Sequence, residues 1–325
     1  MDLKKRLFII IPAVCLAITA SSYLVYAGYR SWQDVRERKL LLQQRRAAWS
    51  ALENVLKSRV RSFRGDSGVI IEDLNTGWKY SLNKDKLFPA ASIVKIQIMA
   101  ACFQAASEGR LDLKERMVLR AANITPGSGI LKSAAAGTVI PAEKLIEIMI
   151  SHSDNTAANM LIERLGFDYL NGYFKRAGLR HTNLSRKMMD FSDRKNGIEN
   201  YTSASDIAFL LEKFYQRKFL SPAVSEKCLA MLLKQKVNDR IPKKLPEGCP
   251  VAHKTGLEKD VCHDAGIVFT RQGDFLICVL TKSRGGARPV KAFISGLSLA
   301  IYDTYRRFPD PCYSGLKRAR EVKID

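Results

Sequence analysis

Histidine is scarce in this chain, and metal-binding patterns are missing from it. Only four His occur among 325 residues, and none of the seven Cys belongs to a Cys-x-x-Cys pair. Zinc hydrolases and zinc fingers need clusters of these side chains, so the sequence predicts no metal and no other cofactor. Internal repeats and low-complexity tracts are also missing. With 46% hydrophobic and 26% charged residues, the composition is that of a folded globular protein.

Acidic residues are few relative to basic ones, at 32 Asp and Glu against 53 Lys and Arg, which gives a net charge of +21. Residues 30–64 alone carry ten basic and three acidic side chains. Such a segment would be attracted to anionic lipid or to an anionic wall polymer, and the alternative is a solvated surface without a partner. We expect no nucleic-acid partner, because the sequence has neither zinc-finger spacing nor an aromatic-basic RNA motif.

One long stretch has no charge at all. Residues 7–29 are 23 uncharged residues that follow Lys4, Lys5 and Arg6, and a helix of that length crosses about 30 Å of hydrocarbon. We expect a single-pass anchor at 7–29 in a bacterial inner (cytoplasmic) membrane, with residues 1–6 in the cytoplasm. The chemistry described below places the remaining domain on the outer, periplasmic face. A cleaved signal peptide is the alternative, but its apolar run is usually shorter.

The periodicity of apolar residues after position 29 predicts an α+β fold. Residues 30–50 are expected to form a basic helical stem, and 51–320 a single catalytic domain. Strand-like stretches occur at both ends of that domain, whereas helical periodicity fills the middle. This predicts a sheet body from residues 51–91 and 245–320, an antiparallel sheet flanked by helices, and an all-helical lobe from residues 92–244. Body and lobe would meet at a cleft.

Three short motifs fall in this domain at separations of 61 and 101 residues: Ser92-Ile93-Val94-Lys95, Ser153-Asp154-Asn155 and Lys254-Thr255-Gly256. Each motif alone is weak evidence for a function. A helix-capping Ser, a polar loop and the end of a strand would explain the three sequences equally well. Together they indicate serine chemistry. A Ser at a helix N-terminus is favoured as a nucleophile, and a Lys three residues later can reach back to accept its proton.

The other two motifs supply groups for handling a substrate. A Ser hydroxyl can relay a proton to a leaving nitrogen, an Asn amide can bind a substrate amide, and a Lys with a Thr can hold a carboxylate. Gly256 would allow the substrate backbone to approach closely. His152 and His253 are alternative acid–base candidates, but neither has an orienting Asp or Glu nearby in the sequence, and we expect both to be structural.

With these motifs the chain resembles the class A β-lactamases, within the penicillin-recognising serine enzymes, from about residue 51 to 308. The resemblance implies the β-lactamase/transpeptidase-like fold. It also implies catalytic roles, for Ser92 as the acylated nucleophile and for Lys95 and Ser153 in proton transfer. Substrate-binding roles are implied for Asn155, Lys254, Thr255, Gly256 and Leu257. The backbone N–H groups of Ser92 and Leu257 would form the oxyanion hole.

The chain departs from this family in one loop. The family carries an Arg-x-Glu run whose Glu positions the water that hydrolyses the acyl-enzyme, and the matching positions here hold Arg186 and Met188. A thioether cannot deprotonate water, so the deacylation loop would depend on Asp190 or Glu199 if its path were different.

Three functions remain open at this point. The first is hydrolysis of β-lactams or of D-Ala-D-Ala-like cell-wall peptides through a Ser92 acyl-enzyme. The second is a DD-peptidase or another amide or ester hydrolase with poor β-lactam turnover. The third is a penicillin-binding sensor that stays acylated.

Overall fold

A computed structural model describes residues 3–308, without the side chains of residues 3–10, 12 and 13. Parts of two expected segments therefore lie outside the described residues: 1–2 of the N-terminus and 309–320 of the domain. The helices are α1 (Leu3–Arg61), α2 (Lys95–Ser107), α3 (Ala142–Ser151), α4 (Asn155–Leu165), α5 (Phe167–Arg176), α6 (Phe191–Lys195), α7 (Ala204–Tyr215), α8 (Pro222–Leu233) and α9 (Ala287–Tyr305).

The body of the domain is an antiparallel sheet. Its strands are β1 (Asp66–Asp73), β2 (Lys79–Leu82), β7 (Val251–Glu258), β8 (Val261–Val268) and β9 (Phe275–Lys282), in the order β2-β1-β9-β8-β7. The first two strands form the predicted hairpin, in which Ile71 lies opposite Tyr80. Strand β1 then pairs with β9, so that both ends of the chain contribute to one sheet. The α+β fold expected from the sequence is confirmed.

Alternation along the strands gives the sheet two buried faces. Val69 and Ile71 point to one side, where they pack with Leu52 and Leu56 of α1 and with apolar residues of α9. Ile70 points to the other side, into a larger core shared with α2, α3, α4 and α7. The sheet is thus covered on both faces, and the helical lobe lies on the side opposite α1 and α9.

Helix α1 extends through four segments that we predicted separately: the N-terminus, the anchor, the stem and the start of the domain. It runs without a break from Leu3 to Arg61, and its second half, residues 31–61, contains neither Gly nor Pro, the residues least favourable in a helix. Arg45 and Trp49, in the range expected for the stem, are buried in the domain, and Arg45 Nη2 lies 2.7 Å from Asp73 Oδ2. Within the part of the chain whose side chains are described, no helix is apolar over a length that would cross a membrane.

The lobe is not all-helical, so that expectation is wrong in detail. Two short antiparallel pairs accompany its helices: β3 (Phe88–Pro89) with β6 (Tyr201–Thr202), and β4 (Arg116–Val118) with β5 (Val139–Pro141). Each pair is only two or three residues long and satisfies backbone groups of loop segments between helices. Sequence periodicity does not detect pairs this short.

Candidate active site

Ser92 lies in a single turn of 3₁₀ helix, Ala91–Val94, that leads directly into α2. The Ala91 backbone has a φ of +46°, a left-handed conformation that costs a non-glycine residue about 1–2 kcal/mol. The amide of Ala90 donates to the carbonyl of Asn200 at 2.7 Å and fixes the start of this turn. Ser92 is partly exposed, whereas its neighbours Ala91 and Ile93 are buried. Its hydroxyl group is therefore held on a rigid turn within reach of a ligand.

Lys95 is the first residue of α2 and is completely buried. Its amine donates to the carbonyl oxygen of Ser153 at 2.7 Å and to Oδ1 of Asn155 at 2.8 Å. Burial lowers the pKa of Lys95 to about 7, against an opposing effect of the Asp154 carboxylate. The side chain can therefore exchange a proton near neutral pH, which an ordinary lysine cannot do.

The second motif forms the tight link between α3 and α4. Ser153 has a φ of +53°, which turns the backbone between the two helices. Asp154 then caps α4, because its Oδ1 accepts from the amide of Ala157 at 2.8 Å. Its Oδ2 accepts from the amide of Leu131 at 2.8 Å, so the same carboxylate also fixes the loop that passes in front of α4.

Lys254 brings the third motif to the second. This fully buried side chain on β7 donates to Ser153 Oγ at 2.9 Å and to the carbonyl of Thr255 at 2.7 Å. Burial and the nearby Lys95 charge lower the pKa of Lys254 well below its ordinary value, with Asp264 opposing them. Two amines thus converge on Ser153, one at its carbonyl and one at its hydroxyl.

Gly256 brings β7 against the Ser92 turn. A Cβ at this position would lie 3.2 Å from the amide nitrogen of Ile93 and 3.4 Å from the carbonyl oxygen of Ala90. A side chain at this position would therefore crowd the Ser92 turn, and the glycine allows these two parts of the chain to approach closely. Leu257, the next residue, is 47% exposed beside that contact.

The two histidines near the motifs are both engaged elsewhere. His253 Nδ1 lies 2.9 Å from Asp264 Oδ1, and its Nε2 lies 3.0 Å from Asn238 Oδ1. The orienting carboxylate that the sequence did not reveal thus exists on the neighbouring strand β8, eleven residues later. His152 Nδ1 contacts Ser151 Oγ at 2.9 Å. These contacts fit the structural role that we expected for both.

The loop that carries Met188 is held by Asn159 of α4. The Asn159 side chain accepts from the amide of Met188 at 2.7 Å and donates to the carbonyl of Met188 at 3.1 Å. Met188 itself is buried in the lobe core, at 7% exposure. Asn159 is a residue whose role the sequence did not indicate, although it lies one turn after Asn155 on the same helix face.

The carboxylates that could replace a missing Glu are committed to other contacts. Asp190 caps α6, since its Oδ1 accepts from the amide of Asp193 at 3.0 Å. Glu199 forms an ion pair with the buried Arg186, with Oε1 2.6 Å from Arg186 Nη2. Glu258 at the end of β7 also pairs with Arg186, at 3.2 Å. The loop is therefore fixed to the edge of the sheet by buried charges.

The geometry combines a partly exposed Ser on a strained turn with two buried amines of lowered pKa, and both amines contact a second Ser, Ser153. A model of the β-lactamase enzyme family matches residues 48–305. This chain belongs to the β-lactamase enzyme family. The class A β-lactamase-like serine hydrolase inferred from the motifs is thus confirmed, and the protein is an enzyme of that type.

Individual relatives agree with this assignment. The extended-spectrum β-lactamase PER-1 of Pseudomonas aeruginosa is 25% identical over 88% of this chain and 94% of its own. The solved β-lactamase of Sphaerobacter thermophilus is 32% identical, with a TM-score of 0.71, over 80% of this chain and 99% of its own. PBP-A is 31% identical, with a TM-score of 0.72, over 79% of this chain and 96% of its own. A leucine-to-glutamate variant of PBP-A, solved as an acyl-enzyme complex with penicillin G, is similar to the same extent.

Proposed function

We propose that this protein forms an acyl-enzyme on Ser92 with β-lactams or with the D-Ala-D-Ala-like peptide ends of the cell wall. The observation that carries the proposal is the position of Lys95. A neutral amine has two hydrogens, and both are used on Ser153 O and Asn155 Oδ1. Its lone pair remains to accept the proton of Ser92, because side chains three residues apart along a helical turn are neighbours.

Acylation transfers the proton of Ser92 to the leaving group in several steps. Ser92 Oγ attacks the carbonyl carbon of the amide while its proton passes to Lys95. The carbon–nitrogen bond breaks, Ser153 gives its hydroxyl proton to the leaving nitrogen, and the proton held by Lys95 replaces the one that Ser153 has lost. Lys254, which already donates to Ser153 Oγ at 2.9 Å, lowers the cost of that transfer and offers its charge to a substrate carboxylate. The backbone N–H groups of Ser92 and Leu257 bind the oxyanion, and a contact of this kind stabilises the transition state by about 3–4 kcal/mol.

Slow deacylation is the second part of the proposal. Asn159 binds both backbone groups of Met188, which supports Met188 as the residue at the position of the family's Glu. The neighbouring Asp190 and Glu199 are a helix cap and an ion-pair partner. Acylation of Ser92 does not require a carboxylate in this loop, but activation of the hydrolytic water does. We therefore expect a β-lactam to acylate Ser92 faster than the resulting acyl-enzyme is hydrolysed.

This favours a penicillin-binding peptidase or sensor over an efficient β-lactamase. The similarity to PBP-A supports acylation by a penicillin, because the leucine-to-glutamate variant of PBP-A was solved as an acyl-enzyme complex with penicillin G. A peptidase needs only an amine leaving group and an acyl-enzyme that a small acceptor can reach. The sensor alternative would use the same adduct without turnover.

The deciding experiment follows a chromogenic β-lactam with the purified full-length chain. We expect one burst per molecule and then a slow steady rate, and no burst with Ser92→Ala. Release of D-Ala from a D-Ala-D-Ala peptide would identify the peptidase. Sustained rapid turnover would instead establish an efficient β-lactamase and contradict the role of Met188. No reaction with either substrate would exclude both functions.

We further propose that residues 7–29 anchor the protein in the inner membrane, with the domain on the periplasmic side. The uncharged run of 23 residues supports this. So do the exposed Tyr26, Tyr29 and Trp32 at the end of this run and just beyond it, because such rings concentrate at the membrane–water boundary. The exposed basic residues beyond them suit anionic lipid or a wall polymer. Deleting residues 7–29 should move the protein from the membrane fraction to the soluble one. A full-length chain already found in the soluble fraction would contradict the anchor.

A further inference from the structure

His263 is a buried side chain of β8 that the chemistry above does not use. It is completely buried, and its Nε2 lies 2.8 Å from the carbonyl oxygen of Pro89, three residues before Ser92. Its other ring nitrogen, Nδ1, accepts from the backbone amide of Thr281 on β9 at 3.0 Å. One imidazole thus connects the middle of the sheet to the segment that carries the nucleophile.

The pairing of β8 with β9 leaves room for this ring. Val261 lies opposite Lys282, and regular pairing resumes where Asp264 lies opposite Val279. Between these pairs the amide of Thr281 donates to the imidazole, while the Thr281 hydroxyl donates to the carbonyl of Cys262 at 2.6 Å. His263 therefore replaces a backbone acceptor and satisfies an amide that would otherwise be buried without a partner.

These two contacts determine the protonation of the ring. A backbone amide can only donate, so Nδ1 must be an acceptor without a hydrogen. Nε2 then carries the hydrogen and donates it to the Pro89 carbonyl. Burial lowers the pKa of His263 to about 4, and the nearby Arg240 charge adds to the effect, against the hydrogen bond to Pro89. The ring is neutral at pH 7, and neither nitrogen is free to exchange a proton with a substrate.

The ring also lies behind the contact between the Ser92 turn and β7. Gly256 is opposite His263 in the sheet. A Cβ on Gly256 would lie 3.2 Å from His263 Cδ2 and equally 3.2 Å from the amide nitrogen of Ile93. The edge of the ring faces Phe88 as well, with ring centroids 6.2 Å apart. The imidazole is thus packed between the two segments whose N–H groups would form the oxyanion hole.

We propose that His263 is a positioning residue for acylation: its hydrogen bond to Pro89 sets the distance between the Ser92 turn and strand β7. This inference rests on the proposed acylation of Ser92. Misplacement of reacting groups by about 1 Å costs on the order of 100-fold in rate. Loss of the bond should therefore slow the chemical step and leave the affinity of the first complex unchanged, since Lys254 and Asn155 have other partners.

Two substitutions separate the two bonds of the ring. In His263→Gln the side-chain amide can place an N–H donor close to the position of Nε2. In His263→Asn the shorter side chain can still accept from Thr281 but cannot reach Pro89. His181→Asn is the matched control, because that ring is partly exposed and its nearest carboxylate, on Asp206, is 3.7 Å away.

The experiment measures the acylation rate constant and the dissociation constant of the first complex separately, by stopped flow with a fluorescent penicillin. We expect His263→Asn to lose about 10- to 100-fold in rate constant, with its dissociation constant unchanged. We expect His263→Gln to stay within about threefold of the unmodified chain, like the control. A full rate constant in His263→Asn would overturn the proposal. So would equal losses in both variants together with a lowered unfolding temperature, since that indicates a purely structural role.

The tautomer can be tested even if the protein is not acylated at all. Absence of acylation in the unmodified chain would count against the proposed function alone. The ¹⁵N NMR signals of the four His rings at pH 7 should include a neutral Nε2–H ring, assigned by its loss in His263→Gln. A charged ring, or one protonated at Nδ1, would contradict the geometry on which the positioning role depends.

Discussion

The amine of Lys254 lies 2.9 Å from the hydroxyl of Ser153, across 101 residues of chain. The same Ser153 accepts a hydrogen bond at its carbonyl from Lys95. Its left-handed backbone, at a φ of +53°, makes both contacts possible, because it turns the carbonyl and the side chain toward two different amines. One strained residue thus joins all three motifs.

Replacing Ser153 should separate catalysis from strain. Ser153→Ala and Ser153→Gly both remove the hydroxyl, so each should lower the acylation rate by about 100-fold, as loss of a proton-transfer group typically does. Glycine has no penalty at positive φ, so the Gly variant should be more stable than the Ala variant by about 1 kcal/mol. Urea unfolding and a burst assay measure the two effects. Equal stabilities would argue against strain at this position.

Acylation should depend on pH through Lys95. Only the neutral amine can accept the Ser92 proton, and burial lowers the pKa of Lys95 to about 7. The acylation rate constant should therefore rise tenfold per pH unit below about pH 7 and level off above it. Stopped-flow acylation between pH 5 and 9 provides the test. A rate that is flat across this range, or that falls as the pH rises, would exclude Lys95 as the proton acceptor.

A carboxylate at position 188 should restore deacylation. Met188→Glu introduces a base in the loop that Asn159 fixes, and general bases contribute about 10²- to 10⁴-fold. We expect release of the penicilloyl group to accelerate by at least about 10²-fold, as measured by recovery of free enzyme. Met188→Gln has nearly the same size and no basic group, so it should remain as slow as the unmodified chain. If both variants deacylated alike, position 188 would not be the site of the missing base.

The buried charges that fix this loop should matter for stability. Arg186 is 2% exposed and pairs with Glu199 and Glu258. Arg186→Ala removes the buried one of their two cationic partners and leaves Arg194 as the other, so it should lower the free energy of unfolding by about 3 kcal/mol. The next residue along the chain is the control. Lys187→Ala breaks an exposed ion pair with Glu163 and should lower the free energy of unfolding by less than about 1 kcal/mol. Chemical denaturation compares them. Similar small losses would mean that Arg186 contributes little to the fold.

The sequence predicted the features that depend on residues close together in the chain or on the order of short motifs. Alternation revealed the β1–β2 hairpin, and motif order indicated which residues meet. It did not reveal that Asp264 orients His253, because the two lie on different strands and only the register brings them together. It also did not reveal that Gly256 lies against the Ser92 turn, because that turn is more than 160 residues earlier in the chain. Short pairs such as β3–β6 and β4–β5 carry too few residues for a periodic signal.

Intact-mass spectrometry of the full-length chain after exposure to penicillin G tests the central claim most directly. Ring opening adds the whole β-lactam to the protein, so we expect one adduct of that mass, located on Ser92 by peptide mapping and absent from Ser92→Ala. An unchanged mass under conditions where Ser92 is intact and the protein is folded, or an adduct on another residue, would contradict the account.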